Sequence, residues 1–64
     1  MFVIWIASLK YKGFFNGCID ETDGFIGTSK DLLGGRILKA EQVKIVTDYL
    51  DKRKIAYKVL QYIN

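Results

Sequence analysis

Sixty-four residues with one cysteine, no histidine and no proline leave room for one domain, 1–64, and for few kinds of chemistry. A chain this short buries only about 60% of the surface its unfolded form exposes, and Cys18 has no second cysteine with which to staple the fold. The formal charge of +3 permits an anionic partner without requiring one, while half the residues being apolar argues against disorder.

Phe2-Val3-Ile4-Trp5-Ile6-Ala7-Ser8-Leu9 is rich in β-branched and aromatic residues and predicts a strand. It lacks the basic flank and small-residue cleavage site of a secretory signal and is too short to span a bilayer. Phe2, Ile4 and Ile6 fall on one face; Val3, Trp5, Ala7 and Leu9 fall on the other. A strand apolar on both faces belongs between two layers. Lys10 to Gly13 supplies a turn, and Phe14 to Ile19 predicts a second, antiparallel strand in which Gly17 marks a bulge. Asp20-Glu21-Thr22-Asp23-Gly24 reads as a polar turn, and Phe25 to Thr28 as a short third strand.

Thr28 or Ser29 can cap one helical turn through Lys30 to Leu33, stopped by Gly34-Gly35. Arg36 to Leu38 fits either a strand fragment or a lead-in to the main helix, expected over 39–54. On a helical wheel Val43, Val46 and Leu50 form a stripe for the sheet, with Ala40 and Thr47 beside it. Ile45 and Tyr49, a contacting i, i+4 pair, fall in the polar arc with Glu41, Lys44, Asp48, Asp51 and Lys52. Residues 55–63 predict a last strand with Ile55, Tyr57, Val59 and Ile63 on one face, opposed by Leu60 and Tyr62. The expected fold is α+β: a small antiparallel sheet of three or four strands with one helix on one face, in the order β-β-(β)-α-β.

Catalysis finds little support. Without histidine, acid–base work near neutrality would fall to a perturbed carboxylate or lysine. The one carboxylate cluster, Asp20 to Asp23, lacks the spacing of a calcium loop and reads as a solvated turn. Cys18 has no base to activate it and reads as a small buried hydrophobe. Gly34-Gly35-Arg36 lacks the lysine and hydroxyl residue of a phosphate loop. No catalytic residue, metal ligand, cofactor or small-molecule substrate is expected, and a lone thiol fits the reducing cytoplasm.

Binding is the expected function. One helix covers one sheet face, so Trp5, Leu9, Leu60 and Tyr62 are left as an apolar patch unless residues 20–38 fold over it, and such patches mark interfaces. Ile45 and Tyr49 add a second candidate surface. The partner is a protein or a second copy of the chain. Nucleic acid is the alternative, with aromatic stacking on the open face and charge from Lys10, Lys12, Lys52, Arg53, Lys54 and Lys58. Lys52 to Lys54 also suits a helix C-terminus on dipole grounds alone.

The opening hydrophobic strand (Phe2 to Ile6), the glycine-turn hairpin (Gly13 to Gly17) and the helix leading into a final strand (Ala40 to Ile63) form a layout that resembles small phage-encoded accessory and inhibitor proteins. The resemblance implies a compact protein in the host cytoplasm that binds a host enzyme or a defence factor, as an anti-CRISPR does. Lys30 to Leu38 has no counterpart in it.

Overall fold

The computed structural model describes residues 1–20 and 22–62. Four strands and two helical segments follow in chain order: β1 (Phe2–Ile6), β2 (Gly13–Asp20), β3 (Phe25–Ser29), a 3-10 turn (Leu32–Gly34), α1 (Ala40–Lys52) and β4 (Tyr57–Gln61). The sheet is antiparallel with strand order β3-β2-β1-β4, which leaves β3 and β4 at its edges. This is the expected α+β architecture with four strands.

Alternation along β1 sorts the apolar residues as expected. Ile4 and Ile6 are fully buried with Phe15, Ile26, Leu38, Val46 and Leu50 in the core beneath α1. Val3 is also buried, at 3% exposure, but it points to the other face, where it pairs with Leu60. The strand stops at Ile6, three residues short of the strand expected from the sequence. Ala7 is exposed, and Leu9 stands in the β1–β2 turn with its side chain 100% exposed. Leu9 therefore does not belong to the outer sheet face.

The bulge expected at Gly17 is larger than a single residue. Between the pairs Phe15↔Thr28 and Ile19↔Ile26, four steps of β2 match two of β3. Gly17 adopts φ 94°, a left-handed conformation that glycine enters without steric cost. The Asn16 carboxamide oxygen accepts from the Cys18 N–H at 3.0 Å, closing a local turn. Cys18 is exposed as a result, not buried, because the bulge turns it out of the sheet.

The bulge also takes β2 away from β1, whose pairing with it is confined to Trp5↔Phe14 and Ile6↔Gly13. Arg36 to Leu38 fills the gap. The Arg36 N–H donates to the Phe15 carbonyl at 2.7 Å, while Leu38 and Phe2 exchange two bonds of 2.7 and 2.8 Å. The segment fitting either strand or lead-in is thus a wedge of extended chain with Leu38 buried at its end.

Helix α1 starts one residue later and ends two residues earlier than the sequence predicts. The Gln42 side-chain oxygen accepts from the Lys39 N–H at 2.9 Å, satisfying one of the free donors at the helix start. At the other end the Ile55 N–H donates to the Leu50 carbonyl (2.9 Å) and the Lys54 N–H to the Asp51 carbonyl (3.1 Å). This is a Schellman stop, and Lys54 occupies its left-handed position at φ 59°, where glycine is usual. Ile55 packs back on the core. Ile63, expected on β4, lies outside the described residues.

Candidate interaction surface

Among the described residues Met1, Leu9, Phe25, Leu33 and Ile37 are exposed apart from one another along the chain, and three further places gather apolar surface that the core does not use. The first is the outer face of the sheet. Trp5 and Phe14 pair across β1 and β2 with ring centroids 4.9 Å apart in an edge-to-face arrangement. Val3, Phe14, Leu32, Leu60 and Tyr62 line a shallow depression of about 320 Å³. From the 20–38 segment, residues 32–35 cover this face in part. The backbone at Gly35 comes so close to Phe14 that a Cβ there would sit 3.1 Å from the Phe14 Cβ. Trp5 and Tyr62 are consequently half-buried, and Leu60 keeps 41% of its surface exposed.

The second place lies where the outer half of β2 runs beside α1. Along the helix, Gly17 and Ile19 approach Gln42, Ile45 and Val46; Cys18 and Asp20 approach Ile45 and Tyr49; and Gly24 reaches Arg53. Ile45 rises between the first two of these depressions with 70% of its surface exposed. Its neighbours Glu41, Lys44 and Asp48 are exposed as well, the last two forming a 3.5 Å ion pair. Such a pair on a helix surface contributes little stability.

Tyr49 does not share the exposure of Ile45. It is half-buried against the core, and its hydroxyl accepts from Arg53 Nη1 at 2.7 Å. The same Arg53 nitrogen donates to the Gly24 carbonyl at 2.9 Å, which also accepts from the Tyr11 hydroxyl at 3.0 Å. These four residues tie the β1–β2 turn, the β2–β3 turn and the helix C-terminus into one junction. The wheel placed Tyr49 in the polar arc because it assumes a single contact surface, whereas the bent hairpin provides a second. The signal available in the sequence was the spacing of Tyr49 and Arg53, i and i+4 on one helix face.

The third place is β4. Val59 lies on the helix side of the sheet and Leu60 on the outer side, 40% and 41% exposed. Tyr57, also on the helix side, donates its hydroxyl to Asp51 Oδ1 at 2.9 Å. That bond to a carboxylate holds the phenol proton and raises the Tyr57 pKa above its ordinary value.

The basic residues divide. Lys10 and Lys12 lie in and just after the β1–β2 turn, and Lys52, Arg53 and Lys54 end α1. Both groups adjoin the Tyr11–Gly24–Arg53 junction, which also carries Asp23. Lys58 alone stands on the outer sheet face, opposite Trp5. Among the described residues no three cysteine or acidic side chains gather into a metal-binding group, and no helix is long and apolar enough to cross a membrane. The chain matches no family model, no curated protein and no solved structure.

Proposed function

We propose that this protein is a non-enzymatic interaction module that grips another protein through the ridge at Ile45 and the depressions on either side of it. The observation that carries the proposal is the 70% exposure of a large β-branched side chain in mid-helix, with the apolar residues Val46 and Ile19 beside it. Water contact with that side chain is unfavourable, and burial by a partner removes it at little cost to the fold. A partner contributing one or two apolar side chains between α1 and β2 fits the shape. The resemblance in layout to phage inhibitors adds a host enzyme or defence factor as the class of partner, met in the host cytoplasm.

The test is capture of partners from host lysate on immobilised chain, comparing wild type with Ile45→Glu and with the control Glu41→Lys. A protein retained by wild type and the control but lost with Ile45→Glu supports the proposal. Equal retention on Ile45→Glu, or no retained protein at all, overturns it.

Nucleic acid is the second reading, favoured by Lys58 beside Trp5 on the open face and by the basic cluster at the helix end. It predicts retention of single-stranded DNA or RNA that weakens steeply with salt, as released counterions require. An apolar contact at Ile45 is far less sensitive to salt.

A further inference from the structure

We propose that the free edge of β4 pairs with the β4 of a second copy, antiparallel and centred on Val59, joining two sheets into one of eight strands. This contact is independent of the Ile45 surface. It follows from which backbone groups the strand leaves unused.

The Ala7 N–H donates to the Ala56 carbonyl and the Tyr62 N–H to the Met1 carbonyl, both at 2.8 Å. Together with the unbroken register from Phe2↔Gln61 to Ile6↔Tyr57, these bonds fix the phase of the ladder. Ala56, Lys58, Leu60 and Tyr62 turn their backbone groups toward β1, so Tyr57, Val59 and Gln61 turn theirs outward. The same phase sends the groups of Phe2 to the far side of β1, where they meet Leu38. Among the described residues none hydrogen-bonds to the backbone on the outward side of β4.

Natural edge strands are usually blunted by several devices together: shortness, charged side chains such as lysine, proline, bulges, inward charge or a covering element. β4 has neither proline nor bulge, its register with β1 is regular, and its only charge is Lys58. The opposite edge differs: β3 contains Gly27 and its last residue, Ser29, packs against Gly34 of the 3-10 turn. Both faces of β4 are also part-exposed and apolar, through Val59 and Leu60.

Charge excludes one register, and the centre of the strand favours another. A two-fold axis at Val59 sets Tyr57 opposite Gln61 of the second copy and Val59 opposite Val59, so all three outward residues form hydrogen-bonded pairs. Lys58 then faces Leu60, whose side chain its methylene stem can cover. A two-fold axis at Lys58 would place two ammonium groups opposite each other at the closer, non-hydrogen-bonded spacing, which is unfavourable.

Amide hydrogen exchange followed by NMR from micromolar to millimolar chain, with sedimentation equilibrium on the same samples, tests the proposal. The expected result is a dimer whose formation protects the Tyr57, Val59 and Gln61 amides, while those of Lys58 and Leu60 are protected at every concentration. Val59→Lys should weaken the dimer by roughly tenfold or more, because it sets like charges across the axis. Ile45→Glu should leave dimerisation unchanged even where it abolishes capture of a foreign protein, which separates failure here from failure of the proposed function. A chain that stays monomeric at millimolar concentration overturns the proposal, as does a dimer that protects other amides. The wild-type exchange pattern decides the matter even if Val59→Lys does not fold.

Discussion

Two alanine substitutions five residues apart on α1 test whether Ile45 is spare surface or part of the core. Leu50 is fully buried, so Leu50→Ala loses both its transfer free energy and the contacts around the cavity, about 2–5 kcal/mol. A domain of this length has a total stability of about 3–10 kcal/mol. The substitution should therefore remove between about a fifth and all of it and lower the melting temperature by roughly 10 °C or more. Ile45 has only about a third of its surface covered, which scales the 1.5–3 kcal/mol of full burial down to about 0.5–1 kcal/mol. Alanine returns a few tenths of a kcal/mol through its better helix propensity. The net effect of Ile45→Ala should be about 0.5 kcal/mol or less. Urea unfolding followed by circular dichroism and by Trp5 fluorescence measures both, provided the slopes with denaturant stay equal. If Ile45→Ala costs as much as about 2 kcal/mol, the side chain is holding the fold together and the proposed binding surface loses its basis.

Three further predictions concern the helix end. Lys54 holds φ 59° at the position where a Schellman stop favours glycine, so Lys54→Gly should stabilise the chain by about 0.5–1 kcal/mol in the same urea assay. Gly24 is the converse case, at φ 73° with a built Cβ only 2.5 Å from Arg53 Nη1; Gly24→Ala should cost about 1–2 kcal/mol in strain. It also displaces the guanidinium, and that second part of the loss should vanish in an Arg53→Ala background. The raised pKa of Tyr57 means that its proton is held more tightly folded than unfolded. Its contribution to stability is complete below the ordinary tyrosine pKa of about 10 and is lost as pH climbs through the raised value. Phenolate absorbance, with Tyr57→Phe as reference, should show the late titration, and Asp51→Asn should shorten the delay.

What the sequence displays well is whatever depends on local period. The alternation of Phe2 to Ile6, the stripe Val43-Val46-Leu50 and the glycine in β2 each predict the right element and the right face. What it conceals depends on where chains meet. Extending the alternation past Ile6 puts Leu9 on a sheet face, although the chain has already begun to turn there. Residue type favours the interior for Cys18, and only the pairing with β3 shows that two extra residues push it out. The junction of Tyr11, Gly24, Tyr49 and Arg53 joins residues up to 42 positions apart. Neither period nor propensity carries that distance, because it is set by how far the bulge bends the hairpin.

The apolar excess visible in the composition does not all have the same meaning once each part has a location. On the outer sheet face the Leu32–Gly34 turn and Gly35 already cover much of it, and Val3 shows the result at 3% exposure. That part stabilises the fold, as a domain this small requires. Ile45 and β4 are different, because Ile45 keeps 70% of its surface exposed and Val59 and Leu60 keep 40% and 41%. A chain short of core would gain by turning such side chains inward, and nearby polar residues such as Lys44 and Asp48 show that the surface accepts charge. Apolar side chains at positions where the fold gains little from them are best accounted for by contacts beyond the single chain. Ile45 sits on a ridge and suits an unlike partner with a cleft or loop to match. β4 is straight, nearly uncharged and self-complementary about Val59, which suits a second copy of itself.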